Sequence, residues 1–236
     1  MTTAVFTAVA FTTALLGLPC VQSQGVSRMA MYEYYDQFQD IAKAFNSSKF
    51  YWFYASNYDT LNIEDRRCIN VRISELTNDG MVFETGYMQG NTSKETSYYG
   101  NFYVSWPVIK NNKNVQRNIS NALHVVTEPG QAEVPPTNFS LVYSDYKDCI
   151  ILLVLNEDIK SHEFAPEYME TYATQCIVLL SDSEARRGIN NTYHHKNICQ
   201  NQYYNACLKY KGQENSHRQY YDGSCGSPEN DVTPTS

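Results

Sequence analysis

Few side chains in this sequence could hold or transform another molecule, and they are scattered. Arg72 and His124 stand within strand-like segments, where a cation could face an enclosed interior. An arginine there can grip a carboxylate through two parallel hydrogen bonds. Around them are 20 tyrosines and 10 phenylalanines, which supply rigid apolar area with a hydroxyl at many edges. That chemistry suits holding a small amphipathic molecule better than reacting with one. Ser, His and Asp all occur, but no HExxH, GxSxG or glycine-rich phosphate loop is present, and nothing draws a triad together. We therefore expect no enzyme. The cysteines form no CxxC pair and the five histidines are dispersed, so no metal and no cofactor are expected. His194-His195 lies near a glycosylation sequon and reads as surface.

The formal net charge is −7, and no basic run exceeds two residues. Nucleic acid and polybasic membrane contact are excluded as partners on this ground. VFTAVAFTTALLGLP carries no charge and precedes the polar CVQSQG, so residues 1–24 read as a secretory signal peptide. Residues 25–225 then make one domain and 226–236 a flexible tail. Of seven cysteines, Cys20 lies with the signal, which leaves Cys68, Cys149, Cys176, Cys199, Cys207 and Cys225. Six cysteines allow fifteen pairings, and sequence does not choose among them. Sequons begin at Asn46, Asn91, Asn118, Asn138 and Asn190 and predict glycosylated surface positions on a secreted, extracellular protein.

Certain elements must position these groups. Tyr34, Phe38, Ile41 and Phe45 recur at helical steps within 31–45 and predict one N-terminal helix. Aromatic 50–58, alternating 66–74, 81–89 after Asn78-Asp79-Gly80, and 97–106 predict four strands. Residues 107–121 and 128–136 read as loops, with a strand at 122–128 between them. Strands at 138–146, 149–155 and 172–180 follow, then helical turns from Ser181 and over 199–210. The run CIILLVL at 149–155 has no polar alternation, so both its faces must be covered. Eight short strands with large groups on both faces predict an all-β, eight-stranded antiparallel barrel. One face of CIILLVL would line its interior and the other would lie beneath the C-terminal helical segment. Alternation nominates Tyr51, Phe53, Phe83, Tyr87, Tyr99, Tyr103 and Trp106 as interior.

The chain resembles the tick salivary lipocalins, the histamine-binding protein-like family. The resemblance rests on the N-terminal helix, the aromatic strand ending in Asn57-Tyr58, Cys68, Tyr146-Lys147-Asp148-Cys149 and Gln175-Cys176. It implies a lipocalin-type barrel and the pairs Cys149–Cys176 and Cys68–Cys199, leaving Cys207–Cys225. It also implies sequestration of a small host mediator by a monomer. Amine-binding members carry an Asp after the cysteine at 149 and a Glu run after that at 176; here stand Ile150 and Ile177-Val178-Leu179. The expected ligand is therefore a lipid such as a leukotriene or fatty acid, with histamine or serotonin as the alternative. Glu84 and Glu95 remain candidate amine partners. A second alternative is an inhibitor that presents residues 110–121 and 128–136 to a host plasma protein.

Overall fold

The computed structural model describes residues 29–58, 66–127, 137–155, 175–189, 198–208 and 217–226. The expected signal peptide, the tail beyond residue 226, the loop 128–136, Asn190, His194 and His195 lie outside the described residues.

Eight strands form the barrel: β1 (Phe50–Ser56), β2 (Arg66–Leu76), β3 (Gly80–Gln89), β4 (Thr92–Tyr103), β7 (Ala122–Thr127), β8 (Thr137–Ser144), β9 (Cys149–Leu155) and β10 (Cys176–Leu180). They pair antiparallel in that order, and β10 returns to β1, with Trp52 opposite Leu180 and Phe53 opposite Leu179. This is the predicted eight-stranded antiparallel lipocalin barrel. A short hairpin, β5 (Val108–Lys110) and β6 (Lys113–Val115), stands apart. It lies within the stretch read as a loop. Asn111 and Asn112 both take positive φ (50° and 60°), the two-residue hairpin geometry that asparagine tolerates. The two-residue β11 (Arg218–Gln219) adds to the far end of β1.

The expectation for CIILLVL holds. Ile150, Leu152 and Val154 join Ile177 and Leu179 inside the barrel. Cys149, Ile151, Leu153 and Leu155 join Cys176, Val178 and Leu180 in an outer apolar layer. That layer is roofed by helices α3 (Asp182–Arg187) and α4 (Ile198–Tyr203), the latter running into a π-turn over Tyr204–Leu208. Ser181 caps α3, and Trp52 on β1 donates a 2.9 Å hydrogen bond to Asp182. Burial disfavours the Asp182 carboxylate, but hydrogen bonds from Arg186 and Trp52 outweigh it and hold its pKa below the usual range.

The disulfides correct the implied pairing. They are Cys68–Cys225, Cys149–Cys199 and Cys176–Cys207. Cys149 and Cys176 sit on adjacent strands and the same outer face, but Cys176 lies opposite Leu153 and Cys149 opposite Leu180. Four residues of strand separate them by about 13 Å, well beyond the roughly 7 Å Cα limit for a bridge. Each instead holds the roof, Cys149 through α4 and Cys176 through the π-turn. Cys68–Cys225 spans 157 residues and, by loop entropy alone, contributes about 5 kcal/mol.

The single N-terminal helix is also corrected. After a helical stretch that includes residues 29–31, two short helices follow among the described residues, α1 (Glu33–Asp36) and α2 (Ile41–Phe45), with the chain extended at Asp40, whose carboxylate caps α2 at the Lys43 amide. Gln39 lies in the break, and its buried side-chain amide donates to the Met29 and Val142 carbonyls. Tyr34 therefore faces solvent, Phe38 packs on Tyr143, and Ile41 and Phe45 enter the barrel.

Arg117 organises this corner, with its side chain only 2 % exposed. It donates to the Trp106 carbonyl at 2.9 Å, Ala30 carbonyl at 2.6 Å and Gln39 at 2.7 Å, and pairs with Asp36. Burial lowers its pKa and Asp36 works the other way. Arg117→Ala should cost about 3–5 kcal/mol in denaturant unfolding, because buried acceptors lose their donor; a loss below about 1 kcal/mol would contradict the hub. Non-reducing peptide mapping should recover the three bridges named above, and a Cys149–Cys176 peptide would refute this roof.

Candidate ligand-binding chamber

The barrel closes at one end. Helix α2 inserts Ile41, Ala44 and Phe45 among Tyr51, Phe102 and Leu141. Phe45 stands edge-on to Tyr51 at 6.0 Å and stacks with Phe102 at 6.3 Å. Tyr51 is 0 % exposed. Its hydroxyl donates to the Ala44 carbonyl at 3.0 Å and bonds Ser47 at 2.9 Å. Burial pushes its phenol up to about 12. Tyr146 seals the outside, donating to the Gln37 carbonyl and accepting from the Asp40 amide. Gly100 faces inward here; a Cβ would come within 2.5 Å of Leu123, so β4 passes close only because this residue lacks one.

Toward the other end the lining loosens. Phe53, Tyr98, Val125, Phe139 and Val154 belong to the interior but stay only partly buried. Phe83 stacks on Tyr98 at 5.5 Å. After a bulge between Phe53 and Ala55 in β1, Ser56 and Tyr58 turn inward while Asn57 turns out to bind the roof. Burial, then the nearby Tyr220 phenol, raises the pKa of Tyr58 far above neutrality, so its hydroxyl stays protonated. The wall is thus apolar with neutral hydroxyl donors, the composition of a small-molecule site.

The rim is cationic. Arg66 opens β2 on the same face as Gln89 and Tyr87, and its guanidinium lies 4.1 Å over the Tyr87 ring. Its Nε is buried with no hydrogen-bond partner among the described residues. Lys94, opposite Tyr87 on β4, donates to Gln89 at 2.9 Å. The bulge that sets this face is Cys68, whose φ is +54°. Among the described residues no strand carboxylate faces inward: Glu75, Glu84 and Glu95 share the outward sides of Val82, Arg72 and Gly86.

The nominated residues divide. Tyr51, Phe53 and Phe83 are interior, and Tyr87 shares their face at the rim. Tyr99 and Tyr103 are not, because Tyr98 and Phe102 hold the inward register of β4; Tyr99 is 37 % exposed. Trp106 follows the strand and is buried in the outer layer. Arg72 alternates with interior Val71 and Ile73, faces outward, and sits 5.8 Å over outer-layer Phe50. His124 lies between interior Leu123 and Val125 and donates outward to Asn138 at 2.8 Å. Neither cation is an interior anchor. Glu84 and Glu95 fail as amine partners for the same reason of register. Arg66, which the sequence reading did not nominate, is the arginine of β2 that shares a face with Tyr87.

The sequence matches the family model described as tick histamine binding protein over residues 29–227. The chain belongs to that family. Its lipocalin class is non-catalytic, and its three disulfides fit the oxidising compartment of a secreted salivary lipocalin. Insecticyanin from the tobacco hornworm Manduca sexta is 11 % identical, with TM-score 0.51 over 79 % of this chain and 84 % of that one. Japanin from Rhipicephalus appendiculatus, solved bound to cholesterol, is 12 % identical, with TM-score 0.47 over 78 % and 98 %. Lobster apocrustacyanin A1 is 12 % identical, with TM-score 0.43 over 76 % and 79 %. No individually characterised protein matches by sequence at a significant level. No helix among the described residues is long and apolar enough to cross a membrane.

Glycan placement follows from burial. Asn46, Asn91 and Asn118 are exposed. Asn138 corrects the expected surface position: it is 7 % exposed, and its side-chain oxygen accepts from Tyr103 at 3.3 Å and His124. Glycopeptide mass spectrometry should find glycans at Asn46, Asn91 and Asn118 and an unmodified Asn138. High occupancy at Asn138 would contradict the packing of the outer face.

Proposed function

We propose that this protein sequesters a small amphipathic host mediator in the upper half of its barrel. We infer an acidic lipid, a fatty acid or leukotriene-like molecule, as the preferred ligand. The observation that carries this reading is the interior charge pattern. Ile150 and Ile177 occupy inward positions, no described strand carboxylate faces in, and Arg66 stands at the rim with its Nε buried and without a hydrogen-bond partner among the described residues. A protonated amine losing its hydration shell needs a carboxylate or an aromatic cage; a fatty chain needs only apolar wall and one cation.

The family description supports a biogenic amine as a second reading. The phenols of Tyr58, Tyr98 and Tyr220 could cage an ammonium group, so the two must be separated by measurement. The loop reading of 110–121 as a free protein-binding surface has less support, because the β5–β6 hairpin and Arg117 tie that stretch to the N-terminal corner.

Native mass spectrometry of the secreted glycoprotein should show a monomer carrying lipid. After delipidation, calorimetry should give 1:1 binding of arachidonate and at least tenfold weaker binding of histamine and serotonin. Phe53→Ala and Phe139→Ala should each weaken the acid about tenfold, the worth of one lost apolar contact of roughly 1.4 kcal/mol. Tight histamine binding with no uptake of arachidonate would overturn the lipid reading. Binding of none of these by folded, stripped protein would overturn sequestration.

A further inference from the structure

Between its aromatic depth and its cationic rim, the inner wall of the chamber carries a row of hydroxyls. From the plug to the mouth, the inner face of β4 runs Phe102, Gly100, Tyr98, Thr96 and Lys94. Strands β3 and β4 keep one unbroken register from Gly80–Asn101 to Gln89–Thr92. Each inward residue of β4 therefore has an inward partner directly opposite: Phe83 for Tyr98, Thr85 for Thr96 and Tyr87 for Lys94. Across the other ladder, Thr127 of β7 lies opposite Tyr98. Interior Val71 of β2 lies opposite Thr85, so the inward side of Thr85 is fixed from both neighbouring strands.

Three threonines thus share one inner face around Tyr98, and all three are half-buried. Among the described residues none of their hydroxyls is held in a hydrogen bond. The rung below them is the Phe83–Tyr98 stack, and the rung above is Tyr87 with Lys94, where the Arg66 guanidinium lies over the Tyr87 ring. Successive inward residues of one strand stand about 7 Å apart, a height that an extended alkyl chain covers in about five bonds. Valine would pack as well on such strands, so the hydroxyls are what distinguishes this level of the wall. A threonine hydroxyl both donates and accepts. Facing a plain hydrocarbon chain it gives up water and gains nothing, which costs binding energy. Facing a ligand hydroxyl it exchanges one hydrogen bond for another.

We infer that Thr85, Thr96 and Thr127 form a hydroxyl belt that selects a fatty acid hydroxylated a few carbons from its carboxyl group over the unsubstituted acid. This rests on the lipid reading above, with the carboxylate at the rim and the tail toward the plug, and it narrows the ligand class within that reading. The selection acts through position. A hydroxyl near the methyl end of the chain would lie among Phe102, Leu123 and Leu141, where it would be buried without a partner.

The test is competition calorimetry on the delipidated, glycosylated full chain with three acids: arachidonate, its analogue hydroxylated on the fifth carbon, and its analogue hydroxylated on the fifteenth. The unaltered protein should bind the first analogue at least tenfold tighter than either of the others. Thr85→Val/Thr96→Val, which keeps shape and removes the hydroxyls, should bring that analogue to within threefold of arachidonate and bind arachidonate itself more tightly. Thr85→Ser/Thr96→Ser should keep the preference. If the double valine variant is not secreted, Thr96→Val alone should reduce the preference at least threefold. Three acids bound alike by the unaltered protein, a preference that survives the valines, or equal weakening of all three acids overturns the belt and leaves apolar capture standing. Failure of the unaltered protein to bind any of the three overturns both readings at once.

Discussion

The structure depends on keeping both faces of one stretch of barrel wall dry. Strands β1, β9 and β10 carry large apolar groups on each side, so their pairing places one layer inside the barrel and exposes a second outside. A lone sheet with that pattern would offer water a contiguous apolar patch. The chain covers it with its own later residues: α3, α4 and the turn after it. These elements are too short to hold a position by helix propensity. Two disulfides and the Trp52–Asp182 bond fix them instead.

This division of labour leaves the interior free for another purpose. Stability is invested in the outer layer, the α2 plug and the Arg117 corner, so the upper interior need not be packed solid. Side chains grade from fully buried at Tyr51 and Leu141 to partly buried at Phe53, Tyr98 and Phe139. The same gradient runs in polarity. Apolar groups and protonated phenols occupy the depth, and cations gather at the rim. Phenols are neutral at physiological pH, and burial raises the pKa of Tyr51 and Tyr58 further, so the formal charge on the inner face comes from Arg66 and Lys94.

Much of this was legible in particular residues. CIILLVL announced its two covered faces because no half-exposed strand reads that way. Tyr51 and Phe53 were nominated together because alternation fixes the pair once one is placed, but β1 also has Phe50, Trp52 and Tyr54 in the other register, so which set faces in was decided by the fold. Strand β4 was read wrongly because SYYGNFY has aromatics in both registers; choosing Tyr99 and Tyr103 over Tyr98 and Phe102 was a slip of one residue, which inverts every side chain. Arg72 and His124 were misread for a related cause. A cation inside a strand has an even chance of facing in, and nothing local says which.

The sequence by itself determined the eight barrel strands, their antiparallel succession and the need for a cover over β9, because periodicity and composition act over a few residues. The partners of the cysteines, the break at Gln39 and the pairing of Arg218 and Gln219 with β1 were decided only by tertiary structure. Each depends on two segments far apart in the chain arriving at the same height on the barrel. Strand register and bulges such as Cys68 set that height, and no local pattern encodes it.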